Sequence, residues 1–291
     1  MEWLPLTLLC AFALASADAL TKARLGGFSA RELAFIRLSL AGLLVSPLLL
    51  LQPFPALPPA FWGWVLAAVP LEILAMLLYM KAIRDYPLSL TLPYLAFTPV
   101  FVILVGYLLL GERVSGQGLL GILLVVAGAW LLNFDEADGN NWRSWLEPLR
   151  AILRHPGSLL MLVVAFIYSF TAVTGKGAMQ YMEPGLFGPF YFVLVGLALL
   201  PLLGLKARST LCRIRRQLWP VLLTAGLMAL MLVTHFLALQ QVETAYMIAV
   251  KRTSLLFGIL YGAWIFRETG LGHHLLAGTV MVAGVALIVL G

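Results

Sequence analysis

Charge is what this sequence has least of. Only 11% of its 291 residues are Asp, Glu, Lys or Arg, where a soluble domain carries about a quarter. With 62% hydrophobic residues and a mean hydropathy of +0.98, that shortage excludes a soluble globular chain and points to a polytopic membrane protein. Cysteine is scarce as well: Cys10 lies inside the first apolar run and Cys212 in a basic stretch. Two residues so placed form neither a disulfide framework nor a metal-ligand spacing. Missing too are a nucleophile elbow, an H-E-x-x-H pair and a glycine-rich phosphate loop, which argues against an enzyme, a metal or another cofactor. No nucleotide-binding domain is there to power a pump. Acids number 13 against 19 Lys and Arg, yet no RNA- or DNA-binding motif accompanies the basic residues, so nucleic acid is not an expected partner. The opening residues MEW lack the cation that a signal peptide's n-region needs, and Leu9 before Cys10 does not fit a lipobox. The first segment therefore reads as a mature helix.

Long apolar runs are what the chain has instead. They fall at 3–21, 33–51, 61–81, 88–110, 116–132, 158–177, 185–205, 217–239, 244–266 and 271–290, each long enough to span a bilayer. The longest hydrophilic gap, 133–157, divides them five and five. The halves repeat. LLLGERVSGQGLLGILLVVAGAWLL (108–132) overlays WIFRETGLGHHLLAGTVMVAGVALI (264–288), matching Glu112 to Glu268 and Val126-Ala127-Gly128 to Val282-Ala283-Gly284. ADALTKA (17–23) resembles AVTGKGA (172–178) with a shift of one residue, matching Lys22 to Lys176. An odd number of spans makes the second copy enter the membrane from the other side. Such inverted repeats are the plan of many secondary transporters, with the substrate site between the halves near mid-membrane. The expected fold is all-α, integral to the membrane, with ten transmembrane helices as two inverted five-helix repeats: 1–132, a linker at 133–157, and 158–291.

The stretch PLSLTLPYLAFTPVFVILVGYLLLGE, followed by GLLGILLVVAGAWLL, resembles the EamA family of the drug/metabolite transporter superfamily, and FGILYGAWIFRE with AGTVMVAGVALI resembles it again. The resemblance covers all but the central loop. It implies a ten-helix, two-repeat carrier of small organic solutes, more often exporting than importing, in a bacterial inner membrane. Within the linker, Trp142, Trp145, Leu146, Leu149, Ile152 and Leu153 share one helical face, which reads as a short helix lying in the headgroup region. Loops at 22–32, 81–87, 133–157, 206–216 and 267–270 carry fourteen Lys and Arg, against Arg113 and Lys176 on the other side. By the positive-inside rule the richer face is cytoplasmic and both termini lie outside, the reverse of how the family is often drawn.

Polar residues inside the apolar runs are the candidate site. In AYMIAVKRTSLLFGILYGAWIF (245–266), Lys251 and Arg252 sit side by side about 10 Å into the ninth span and point about 100° apart. Each costs about 2.5–3.5 kcal/mol at membrane depth on insertion scales, so at least one must face protein or an aqueous cavity. They form either an anion site or an internal ion pair with Glu72, the most deeply placed acid. Sugar-phosphate and nucleotide-sugar carriers of the same superfamily place lysine or Lys-Arg in the corresponding late helix, and the resemblance implies an anion-holding role for Lys251 and Arg252. Glu72 is read either as a proton carrier, since desolvation favours a neutral acid, or as their counter-ion. Asp18 has Lys22 one turn on, an expected i,i+4 pair. Pro93 and Pro99 in LTLPYLAFTP predict a kink or hinge in the fourth span, with Tyr94 and Thr98 beside the path. His235 and Tyr168 supply neutral hydrogen-bonding groups at depth. The functional reading is a secondary transporter moving a small anionic or zwitterionic metabolite by alternating access, with protons as the coupling ion. The alternatives are an exporter of amphiphilic compounds, in which Lys251 and Arg252 are structural, and a membrane scaffold that transports nothing.

Overall fold

Helix starts and stops in this chain carry clear local causes. Ser29 and Glu32 form a reciprocal capping box, Ser29 Oγ receiving Glu32 N–H while Glu32 Oε2 receives Ser29 N–H at 2.8 Å, which satisfies two otherwise orphaned donors. Pro58 and Pro59 open the third helix, where a missing N–H is harmless. Gly111 ends the fourth in the left-handed region, φ +68°, a conformation a Cβ would oppose. The computed structural model describes residues 2–86, 91–131, 156–204, 207–265 and 271–290. Their regular structure is helical: α1 (Trp3–Arg24), α2 (Ala30–Leu50), α3 (Pro59–Asp85), α4 (Thr98–Leu110), α5 (Gly116–Leu131), α6 (Pro156–Ala178), α7 (Pro184–Leu203), α8 (Ala207–Arg216), α9 (Leu218–Leu239), α10 (Thr244–Lys251), α11 (Ser254–Ile265) and α12 (Leu271–Leu290).

Six of these, α1, α2, α3, α6, α7 and α9, are long and apolar enough to cross a bilayer. Hydroxyls within them are satisfied locally, as lipid demands: Thr7 donates to the Trp3 carbonyl and Thr21 to that of Ala17, each at 2.7 Å. Contacts at the helix ends sort into two faces. On one, Lys22 Nζ donates to the carbonyls of Ile83 (2.8 Å) and Tyr86 (3.2 Å), and Gly157 lies against the Tyr86 ring. On the other, Lys176, Glu112 and Thr244 converge, and Gln117 donates to the Leu287 carbonyl at 3.2 Å. Successive spans therefore alternate in direction.

The α5 and α12 backbones touch. A Cβ on Gly121 would sit 2.7 Å from the Gly284 carbonyl oxygen, and one on Gly284 would sit 2.6 Å from that of Gly121. Gly128 meets Ala277 in the same manner at 2.8 Å. Small residues allow this approach in a bilayer, where dispersion between close backbones takes over from hydrophobic burial.

Four expectations change. Asp18 does not pair with Lys22: Lys22 is drawn to the exposed carbonyls at the end of α3, and Asp18 takes Arg37 at 2.5 Å. The ninth span is not continuous but breaks at Arg252–Thr253 between α10 and α11. Residues 207–216, expected as a loop, form α8, whose Thr210 and Arg213 both bond Glu32 near the start of α2. Pro156 and Gly157, assigned to the linker, already belong to α6; the remaining linker residues, with the expected interfacial helix, and Glu268 lie outside the described residues.

Candidate functional site

Two helix breaks build the site. In the first half, the tight turn Leu92–Phe97 leads into α4 at Thr98, with Pro93 in the first turn of the former and Pro99 in that of the latter. In the second half, α10 gives way to α11 through Arg252 and Thr253, whose N–H groups bond three residues back, to Ala249 and Val250, at 3.0 Å each. Thr98 and Thr253 hydroxyls close the two breaks on the carbonyls of Leu95 (2.6 Å) and Val250 (2.8 Å). A third irregularity, the π-helical stretch Phe35–Leu40 of α2, carries Arg37; such wide turns are frequent at functional sites.

These irregular segments surround a central cavity of about 90 Å³ with walls from α1, α2, α3, α6, α7, α9 and the two breaks. Six sequence candidates line it: Glu72, Thr98, Tyr168, His235, Lys251 and Arg252. Tyr94 does not; it is buried elsewhere, at 7% exposure. Glu72 and Lys251 share the cavity, yet no ion pair joins Glu72 to either cation among the described residues. Thr171 lines the same cavity, its hydroxyl donating to the Tyr168 carbonyl at 3.4 Å. Lys251 Nζ rests 3.3 Å from His235 Nδ1 and 3.5 Å from Met231 Sδ, with the Cys10 thiol also beside it.

Arg37 is the residue that the sequence reading missed. It is fully buried, bound through Nη1 to Asp18 Oδ1 at 2.5 Å and through Nη2 to Met228 Sδ at 3.1 Å. Tyr79 Oη donates to the second Asp18 oxygen at 2.6 Å. The signal was available: a cation within an apolar run, as at Lys251. Three buried side-chain atoms lack any partner among the described residues: Arg37 Nε, Tyr191 Oη and Arg252 Nε. All three belong to cavity-lining residues, and all three are donors.

The EamA-like transporter family model matches residues 1–134 and again 155–290. The chain belongs to that family. A search of curated proteins returns no match. Among solved structures, 27 chains match; one, titled only as the crystal structure of a protein, superposes with a TM-score of 0.70 over 98% of both chains at 17% identity. That likeness shows the fold alone. Two copies of one EamA segment explain a regularity in the cavity. With Lys22 set on Lys176 and Glu112 on Glu268, equivalent positions line it from both halves: Leu14 and Tyr168, Arg37 and Tyr191, Glu72 and Met228, Tyr79 and His235, Leu95 and Lys251. The backbone positions repeat, whereas the side-chain chemistry does not.

Behind two lining residues of this EamA cavity, Tyr191 and Phe236, lies a further ring. Phe187, fully buried, stacks on Tyr191 at 5.6 Å and meets Phe236 edge-on at 5.2 Å. One residue earlier, Leu186 lines an open recess of about 560 Å³ on the face that holds Lys176. Beside it, Glu112 accepts from Lys176 Nζ at 2.6 Å and from the Thr244 N–H and hydroxyl at 3.1 and 3.0 Å, tying α4 to α6 and to the start of α10.

Proposed function

We propose that the protein is a secondary transporter of a small organic anion, or of a zwitterion bound through its anionic group, built as ten spans in two inverted repeats and exporting by alternating access. The observation that carries this reading is the set of orphaned donors. A buried donor left unmade costs about 1–3 kcal/mol, and the described residues concentrate three of them on one cavity. Guanidinium Nε–H and phenol O–H groups ask for an acceptor, and carboxylate or phosphate oxygens are the acceptors arginine fits best. Lys251 adds a point charge whose present partners are an imidazole nitrogen and a thioether. Glu72 stands on the same cavity without an ion pair and is the proposed proton carrier; an ammonium group of a zwitterion would meet it. Small-molecule sites usually enclose about 300–1,000 Å³, so the 90 Å³ cavity corresponds to a closed state that opens to load. Pro93 and Pro99, at the α4 break, are the proposed hinge. The cytoplasmic membrane, with both termini outside, is the proposed setting.

The test is a thermal-shift screen of the purified protein with phosphorylated, carboxylate, zwitterionic and cationic metabolites, in parallel with Lys251→Ala/Arg252→Ala. A ligand at a hundred times its Kd stabilises by about 2.7 kcal/mol. Stabilisation of the parent alone by anionic compounds sustains the reading and names the substrate class. A folded variant that responds like its parent refutes it. That outcome would favour a second reading, an exporter of amphiphilic compounds, which the aromatic and methionine lining (Tyr79, Tyr168, Phe192, Phe236, Met76, Met228) supports. No response to any class would favour a scaffold.

A further inference from the structure

The helix α8 has two unlike faces, and only one is used by the protein. Arg213 reaches Glu32 and the Gly27 carbonyl (3.0 Å) and lies over the Phe28 ring at 5.2 Å; Thr210 donates to Glu32 at 2.7 Å; Ile214 is buried at 8% exposure. Those three residues, at positions i, i+3 and i+4, form one stripe and lock the rotation of α8 against the start of α2. The opposite stripe consists of Arg208, Leu211, Cys212, Arg215 and Arg216, all exposed. None of its arginines has an ion-pair partner among the described residues. The helix joins the end of α7 to the start of α9, so it lies at the membrane face. Apolar exposure continues beyond it through Leu218 and Trp219, the latter 75% exposed. Tryptophan at that level is the usual companion of headgroups.

We infer that the outward stripe of α8 is a docking site for anionic phospholipid headgroups, held by Arg208, Arg215 and Arg216 while Leu211 and Trp219 enter the acyl boundary. The occupant follows from charge and position. Three guanidinium groups without an ion-pair partner among the described residues suit phosphate oxygens, and an exposed leucine and tryptophan beside them suit hydrocarbon. One molecule class offers both at that depth. Because Arg213 is already committed to Glu32, α8 keeps its orientation whether or not lipid is bound. The site is separate from the central cavity and stands whatever the cargo proves to be.

Cys212 lies in the middle of the stripe and is exposed, whereas Cys10 is buried, so the unmodified protein accepts one fluorescent label in place. The labelled full chain is reconstituted in liposomes of phosphatidylcholine and phosphatidylglycerol, with brominated tails on one lipid or the other. An arginine near an anionic surface is worth about a fivefold preference, and three about a hundredfold. Brominated phosphatidylglycerol is therefore expected to quench the label far more than brominated phosphatidylcholine, and molar salt should erase the difference. Arg208→Gln/Arg215→Gln/Arg216→Gln should equalise the two lipids. Arg24→Gln/Lys81→Gln/Arg84→Gln removes the same charge elsewhere on that face and should leave the preference intact. Equal quenching by both lipids in the parent overturns the inference. So does an equal loss in both triple variants, which would assign the effect to overall charge rather than to α8. If the α8 triple variant is not monodisperse, Arg215→Gln alone is expected to lower the preference about fivefold, and no change there is equally fatal.

Discussion

Replacing Asp18 by Asn tests the electrostatic account of the core more severely than any substitution at the surface. The amide keeps the shape of the carboxylate and an oxygen for the Tyr79 hydroxyl, now at 2.6 Å, but removes the charge facing Arg37. That guanidinium has 0% exposure, one nitrogen on a thioether and one with no partner, so nothing replaces the lost carboxylate. Breaking a buried pair by removing one partner costs about 3–5 kcal/mol. At about 2–4 °C per kcal/mol for chains somewhat shorter than this one, the melting temperature should fall by about 6–20 °C. Asp18→Asn/Arg37→Met should recover most of that fall, because a matched apolar pair carries no stranded charge. Melting followed by tryptophan fluorescence in detergent micelles reads both. A single variant that melts within about 2 °C of its parent would refute the reasoning, as would a double variant no better than the single.

Two further outcomes follow from the same physics. Glu112→Gln should cost about 1–3 kcal/mol by leaving Lys176 without its charge partner and weakening the cap on α10; Lys176→Met on that background should recover part of the loss in the same melting assay. Gly284→Val places a Cβ 2.6 Å from the Gly121 carbonyl oxygen and must force α12 off α5, costing about 1–3 kcal/mol or more. Gly278→Ala, whose nearest neighbour is the flexible end of Leu256 at 3.4 Å, should melt near its parent; equal losses at the two glycines would contradict the close crossing.

Apolar length made the spans legible, because a bilayer sets a minimum that composition alone reveals. The same logic exposed Lys251, Arg252 and Glu72, since charge inside such a run is conspicuous. Arg37 obeyed that rule and was passed over because its partner is not a sequence neighbour: Asp18 is 19 positions away and had a nearer cation in Lys22. Local i,i+4 logic assigned Asp18 to Lys22, and tertiary packing overruled it by offering Lys22 the free carbonyls at the end of α3. The break at Arg252–Thr253 carries no proline or glycine, so the sequence has no breaker to mark it, whereas Pro93 and Pro99 mark its counterpart. Tyr94 was read by proximity to those prolines, and proximity along the chain says little about which side of a tight turn faces a cavity. Tyr191 is one of many aromatics in the chain; its unmade hydrogen bond becomes visible only when every neighbour is in place.

Equivalent backbone positions line the cavity from both halves, yet a cation opposes a leucine at one pair, an arginine a tyrosine at another, and an acid a methionine at a third. A scaffold that presents many of its wall positions twice lets one copy be altered while its twin still fills space. Cargo preference can then drift through a handful of side-chain exchanges, with the glycine crossing of α5 and α12 and the Glu112–Lys176 tie left untouched. For protein engineering, Leu95, whose equivalent in the other half is Lys251, is the natural place to start: a cation there would give that one pair of wall positions matching charge.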